Sequence, residues 1–290
     1  MTSTRVLSVG TDGSRESADA ADWAAREALR RRLPLRLVHA DTGGPAERTA
    51  PPPPDVDLPA RSLLDRVALH LSYAYPELDI VARRRTAPPV AALLETAAVS
   101  ESLVLGSRGF TGYSGFLVGS VALAVTARSL HPVVLVRAGG IPQDERTTDG
   151  DGYRPVVVGV DVTAPADEVL SYAFEAAALR GAPLHALHAW TLPPLRGNTP
   201  GDALPGDAAR RETLRRRSLT EALRPWRTKY RDVPVVERLV YGQPGHHLLK
   251  ASTDASLTVI GRRAESTHLG CTAHSVVHHV TSPVAVVPHT

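Results

Sequence analysis

The chain has 290 residues, a single cysteine and a formal net charge of +3 at neutral pH. One cysteine excludes an internal disulfide framework and a cysteine-based metal cluster. Aromatic residues make up only 4% of the sequence, so stacking of nucleic-acid bases on exposed rings is not expected. A chain of this length suits two domains of about 145 residues each.

The basic residues are nearly all arginine, since Lys229 and Lys250 are the only lysines. Short arginine runs at 30–32, 83–85 and 215–217 are interpreted as solvated ends of helices and strands, so we expect no nucleic-acid partner. The N-terminus has no apolar signal segment, and the longest run of small and apolar residues, 115–125, is too short to cross a bilayer. We therefore expect a cytoplasmic protein with no membrane partner.

In the first half, five short apolar runs bounded by turn residues predict strands. They lie near 6–11, 35–39, 79–83, 102–105 and 132–136. Ser14 is the predicted N-cap of a helix with an inward stripe of alanines at 21, 24, 25 and 28. Three further helices are predicted between the later strands, near 58–75, 90–98 and 118–130.

Residues 139–153 are rich in Gly, Asp, Thr and Pro, and they are predicted to link a domain at 1–138 to a domain at 154–290. The second half repeats the pattern of the first. Its strands are predicted near 155–160, 184–188, 233–240, 257–260 and 283–287. A long, strongly basic helix is predicted from about 203 to 231.

An internal repeat relates the two halves. The segment Val-Gly-Thr-Asp that ends at Asp12 recurs as Val-Gly-Val-Asp ending at Asp161, and His39-Ala40 recurs as His188-Ala189. Each half alternates strand and helix, which is typical of a parallel sheet covered by helices. The predicted fold is therefore α/β, with two tandem open five-stranded parallel sheets that carry helices on both faces.

The glycine-rich segment 106–120 joins a buried strand to a helix in the first half. The free N–H groups and positive dipole of a helix N-terminus favour an anion there. The spacing is G-x2-G-x9-G-[ST], read as Gly106, Gly109, Gly119 and Ser120, and it differs from both the Walker loop and the dinucleotide fingerprint. The segment therefore predicts a phosphate site.

This motif resembles the ATP-binding motif of the universal stress protein (Usp) family, and with the repeat the whole chain resembles a tandem member. The resemblance implies a Rossmann-like sheet with ATP, and with it Mg²⁺, across the carboxyl ends of the strands. It implies that Asp12 lies at the ribose and adenine end, that the Ala40 backbone meets adenine, and that Gly106 approaches the ribose. The residues expected around the phosphates are Gly109, Gly119, Ser120 and Val121. It also implies that the two domains pair through their last strands, with a homodimer as a further possibility.

The corresponding segment of the second half departs from the motif. Gly261 and Gly270 remain, but the loop is shortened, Ala264 replaces the second glycine and Cys271 replaces the serine. Glu265 also brings a carboxylate beside the expected phosphate position, which repels phosphate. We expect this half to bind nucleotide poorly or not at all.

Three functional interpretations stay open: a protein that acts through nucleotide occupancy in stress response or regulation, a ligand-free interaction module of the same fold, and a slow ATPase. No base or nucleophile accompanies Asp12 in the motif, so no catalytic residue is predicted and the chain is not expected to be an enzyme. His274 and His278 share a helix face but lack a third ligand, so no metal-ligating residue is predicted.

Overall fold

The computed structural model describes residues 5–41, 62–107, 118–140, 145–149, 152–191 and 207–290. The chain divides into two compact units. The first comprises Met1–Pro142 and the short segment Ser266–His268, and the second comprises Gln143–Glu265 and Leu269–Thr290. No helix among the described residues is both long enough and apolar enough to span a membrane.

The first unit contains five strands and four helices among its described residues. The strands are β1 (Leu7–Gly10), β2 (Leu35–Asp41), β3 (Ile80–Thr86), β4 (Ser102–Ser107) and β5 (Val133–Arg137). The helices are α1 (Arg15–Arg31), α2 (Leu63–Ala74), α3 (Pro89–Ala97) and α4 (Ser120–Arg128). The predicted start of α2 at 58 lies outside the described residues.

The second unit repeats this order. Its strands are β6 (Val156–Gly159), β7 (Leu184–Trp190), β8 (Val235–Tyr241), β9 (Leu257–Arg263) and β10 (Val284–His289). Its helices are α5 (Asp167–Arg180), α6 (Asp207–Lys229), α7 (Pro244–Ala251) and α8 (Cys271–His279).

The strand order in the first unit is β3-β2-β1-β4-β5, and each neighbouring pair is parallel. The second unit has the equivalent order β8-β7-β6-β9-β10, again with parallel pairs. In each unit the second and third strands lie on one side of the first strand, and the fourth and fifth strands lie on its other side. This reversal creates a switch point, which lies between β1 and β4 in the first unit, where open α/β sheets bind ligands.

Helices cover both faces of the first sheet. A Cβ on Gly106 would meet the backbone of α1, whereas the neighbouring Leu105 lies beside Leu93 of α3 around Gly10. Adjacent side chains of a strand point to opposite faces, so α1 and α3 lie on opposite faces. The strand between them is fully enclosed, with Leu103 and Val104 without exposed surface. The predicted α/β fold is confirmed.

The interpretation of the arginine runs is partly wrong. Arg31 in the last turn of α1 keeps only 2% of its side chain exposed, because it pairs with the buried carboxylate of Glu27 and with Glu101. Arg215 lies in the middle of α6, over the ring of Trp190. Glu27 lies one helical turn before Arg31, but the contacts with Glu101 and Trp190 join residues distant in sequence, so the arginine runs by themselves could not reveal them.

Candidate functional site

A cavity of about 640 Å³ opens at the carboxyl ends of β1 and β4 in the first unit. Its size is within the usual range for a small-molecule or cofactor site. Six of the seven residues predicted for the nucleotide site line this cavity. They are Asp12, Ala40, Gly106, Gly119, Ser120 and Val121. Gly109, the seventh, lies outside the described residues.

Asp12 follows β1 and forms a tight turn with Ser14. Its Oδ1 accepts hydrogen bonds from the Ser14 backbone N–H at 3.0 Å and from the Ser14 hydroxyl at 2.6 Å. Partial burial alone would raise the pKa of the Asp12 carboxyl, but these hydrogen bonds outweigh it and hold the pKa below its ordinary value. The site therefore presents a fixed negative charge at neutral pH, suited to accept hydrogen bonds from sugar hydroxyls.

The Ala40 backbone faces the cavity because of the alternation of a parallel ladder. The carbonyl of Val38 accepts from the Thr11 N–H at 2.8 Å, so Val38 directs its peptide groups toward β1. Alternate residues of a strand in a parallel sheet bond to the same neighbour. Ala40 therefore points its N–H and C=O to the same side, beyond the end of β1 at Gly10. A planar base placed there can form hydrogen bonds with both groups.

Beside this backbone, the cavity has an apolar floor that the sequence reasoning missed. Leu93 of α3 and Leu105 of β4 line it, and their side chains approach within 3.0 and 2.8 Å of where a Cβ on Gly10 would lie. Pro89, at the start of α3, is a further lining residue. The internal repeat offered a signal for this floor, because a proline and a leucine with the same spacing, Pro244 and Leu248, begin the corresponding helix α7.

Gly106 is required by packing within the protein. A Cβ at this position would lie 2.9 Å from the backbone nitrogen of Ser17 and closer still to the carbonyl group of Glu16. The first turn of α1 therefore rests directly on the end of β4. Gly106 lines the cavity, but its lack of a side chain is already explained by this helix contact; its approach to a ribose stays a prediction.

Gly119 is the N-cap of α4, one residue after the predicted helix start near 118, and a Cβ on it would meet no atom of the described residues within 4 Å. Ser120, at the first helical position, is exposed. The N–H groups of the first turn have no intrahelical partners and carry the positive end of the helix dipole. The side of the cavity opposite Ala40 is therefore suited to an anion.

None of the described cavity-lining residues has a cationic side chain, whereas two of them, Asp12 and Glu16, are acidic. A highly charged anion would need further positive charge in this setting. Magnesium commonly binds to one or two carboxylates together with substrate phosphates. The two acidic residues of the described lining match this number of carboxylates, although no group of three or more His, Cys, Asp or Glu residues that could hold a metal ion occurs among the described residues.

Comparison with known proteins gives consistent matches. The model of the Universal stress protein family matches residues 4–137 and again 152–288. A universal stress protein of Mycobacterium tuberculosis is 29% identical, over 96% of this chain and 95% of its own. The crystal structure of a universal stress protein from Archaeoglobus fulgidus superposes over all of both chains, with a TM-score of 0.65 and 18% identity. A universal stress protein solved in complex with cAMP matches 48% of this chain, with 27% identity and a TM-score of 0.35.

Proposed function

Because this chain belongs to the universal stress protein family, by two family matches that together span most of its length, we propose that it binds ATP in its first unit. The protein would act through nucleotide occupancy in stress response or regulation. The observation that carries the proposal is the cavity at the switch point, where a charged carboxylate, free backbone groups and a helix N-terminus converge.

Each part of the cavity suits one part of the ligand. The Ala40 backbone and the Leu93 floor suit adenine, the Asp12 carboxylate suits the ribose hydroxyls, and the α4 N-terminus with Ser120 suits the phosphates. Hydrogen bonds to charged groups contribute about 1.5–3 kcal/mol each, and micromolar affinity requires about 8 kcal/mol. Three or four such bonds together with base burial suffice for that affinity after ordering costs.

Mg²⁺ bound with the phosphates would neutralise part of their charge. The carboxylates of Asp12 and Glu16 are the described groups able to hold it, directly or through water.

Substitution of Gly119 tests the site with little risk to the fold. Aspartate is a favoured N-cap and a Cβ at this position meets none of the residues that the structure describes, so Gly119→Asp should fold normally. Its carboxylate, about 4 Å from a phosphate, would cost about 4 kcal/mol at an effective dielectric of 20. Titration calorimetry should show one ATP per chain in the unmodified protein and none in this variant.

Two matched variants complete the test. Gly119→Asn is also a good N-cap but adds no charge, so it should retain ATP binding. Gly270→Asp introduces the same carboxylate at the equivalent N-cap of α8 and should leave ATP binding unchanged. Equal loss from Gly119→Asp and Gly270→Asp would contradict the assignment to the first unit, and absence of nucleotide binding in the unmodified chain would favour a ligand-free interaction module.

We further propose that ATP is held and not appreciably hydrolysed. Phosphoryl transfer needs an oriented water and positive charge on the transferring group, and the cavity's described lining supplies carboxylates instead. A phosphate-release assay should give turnover far below the roughly 1–10³ s⁻¹ of ordinary enzymes. Arg108 is the only cationic residue in the sequence of the glycine-rich segment 106–120. Turnover of about one per second, abolished by Arg108→Ala with ATP binding intact, would make the protein an enzyme. Pairing of the two domains and formation of a homodimer stay predictions.

A further inference from the structure

The sugar end of the first cavity has a structural counterpart in the second unit. Asp161 follows β6 as Asp12 follows β1, and its Oδ1 accepts from the Thr163 N–H at 2.9 Å and from the Thr163 hydroxyl at 2.6 Å. Burial would raise the pKa of the Asp161 carboxyl, but the bonds from Thr163 outweigh it and lower the pKa. The second unit thus presents the same charged acceptor at the same place.

The base end is repeated as well. The Val160 N–H donates to the Leu187 carbonyl at 2.9 Å, so Leu187 faces β6 and, by alternation, Ala189 directs its N–H and C=O beyond the end of β6. The ring nitrogen Nδ1 of His188 lies 2.8 Å from the Val160 carbonyl, and Nδ1 of His39 lies 2.7 Å from the matching Thr11 carbonyl.

The apolar floor is also present. A Cβ on Gly159 would lie 3.3 Å from Leu248 and 3.8 Å from Ile260. These two side chains correspond to Leu93 and Leu105, which surround Gly10 in the first unit. Their approach to Gly159 is less close than the approach of Leu93 and Leu105 to Gly10, so the same surface is retained with slightly more room.

One buried polar atom in this region has no hydrogen-bond partner among the described residues. His188 is only 7% exposed, and its Nε2 makes no hydrogen bond to any residue that the structure describes. Its imidazole is close enough to Asp161 to interact electrostatically with that carboxylate. Buried polar atoms are nearly always hydrogen-bonded, so an unpartnered one calls for a water or a ligand group.

The phosphate end, in contrast, is altered. Ala264, the counterpart of Gly109, donates its N–H to the His289 carbonyl at 2.7 Å and so cannot offer it to a phosphate. Glu265 adds an exposed carboxylate that offsets the charge of nearby Arg263. Cys271 replaces the hydroxyl donor of Ser120 with a thiol, which is a weaker donor.

We propose that the second unit binds a nucleoside-type ligand, a base with its sugar and no phosphate chain, at the carboxyl ends of β6 and β7. This inference rests on the proposed function, because it takes the first cavity for a nucleotide site. Asp161 would accept from sugar hydroxyls, the Ala189 backbone and Leu248 would hold the base, and Nε2 of His188 would gain its missing partner. The chain would then respond to two related ligands, one in each unit.

The single cysteine gives a direct test. Cys271 is the chain's only cysteine and it is exposed, so an environment-sensitive fluorophore attached to it reports on the second unit. Adenosine should change the fluorescence in a saturable way. Its half-saturating concentration should be at least about tenfold lower than that of ATP. Asp161→Asn keeps a hydrogen-bond acceptor for the turn with Thr163 but removes the negative charge. It should weaken adenosine binding at least about fivefold. The matched variant Asp12→Asn should leave this signal unchanged.

Calorimetry with adenosine on the unlabelled Asp12→Asn chain, with and without Asp161→Asn, controls for effects of the fluorophore while the sugar contact of the first cavity is weakened. The inference is overturned if adenosine gives no saturable response at millimolar concentration, if ATP binds more tightly than adenosine at the reporter, or if Asp161→Asn has no effect. Failure of the proposed function has a different signature. In that case ATP fails to bind in calorimetry, while the response of the Cys271 reporter to adenosine still depends on Asp161.

Discussion

Gly106 and Glu16 are in contact backbone to backbone, so that the end of β4 supports the first turn of α1. The same helix turn carries Ser17, whose hydroxyl accepts from the Asp12 N–H at 3.3 Å, and it begins at Ser14, which fixes the Asp12 carboxylate. The contact therefore couples the packing of a helix to the position of the charged group in the cavity.

Gly106→Ala should both destabilise the first unit and weaken nucleotide binding. The added methyl group collides with backbone atoms, which cannot rotate away, and overpacking of this kind costs about 1–3 kcal/mol. Denaturant unfolding measures the stability, and calorimetry measures ATP affinity. Gly119→Ala is the matched control for stability, because its methyl group meets no described residue within 4 Å and should cost less than about 1 kcal/mol. Equal effects of the two alanines would disprove the role of the Glu16 contact.

Protonation of Asp12 should remove a stabilising turn at acid pH. Because the folded-state pKa lies below the ordinary value of 3.8, the contribution is fully present above the unfolded pKa. It is lost as the pH falls through the folded pKa. The stability difference between the unmodified chain and Asp12→Asn should therefore be constant from about pH 8 to pH 6 and shrink below about pH 4. A difference that varied across the neutral range would show that another group controls it.

Glu27→Ala should be among the most destabilising single substitutions in α1. Glu27 is 1% exposed, and it pairs with Arg30 and, at 2.6 Å, with Arg31. Removing one member of a buried ion pair costs about 3–5 kcal/mol, and because Arg31 keeps Glu101 as a partner, we expect a loss at the lower end of that range. Glu95→Ala breaks the exposed pair with Arg85 and should cost less than about 1 kcal/mol. The free energy of unfolding of each variant, measured with denaturant, checks this ranking. Comparable losses in the two variants would contradict it.

Arg32→Gly should stabilise the first unit. Arg32 ends α1 with a φ of 54°, whereas the equivalent residue at the end of α5 is Gly181, with a φ of 57°. A left-handed conformation costs a residue with a side chain about 1–2 kcal/mol, and glycine relieves most of this cost despite its greater entropy loss. The reciprocal change, Gly181→Arg, should destabilise the second unit by a similar amount. Thermal melting of both variants separates the two causes. A backbone effect raises the Tm of Arg32→Gly and lowers that of Gly181→Arg, whereas a favourable interaction of the arginine charge with the helix C-terminus predicts the opposite signs.

Much of the architecture follows from local sequence patterns. Buried parallel strands such as β4 require short, continuous apolar runs, and the N-caps at Ser14 and Gly119 depend on residues next to the helices that they begin. The repeat of Asp12 as Asp161 indicated two copies of one fold without any structural knowledge. These features depend on residues that are close in sequence or on the internal repeat, so the sequence by itself determined them.

Only the tertiary structure decided which distant groups meet. Leu93 reaches the cavity because α3 packs across the end of β1, and the backbone of Ala40 is available because β1 ends at Gly10 while β2 continues. The buried pairing of Arg31 with Glu101 likewise joins residues far apart in the chain. Such contacts depend on how whole elements pack and where neighbouring strands stop. A linear pattern does not encode these distances, because each is the outcome of all the packing interactions together.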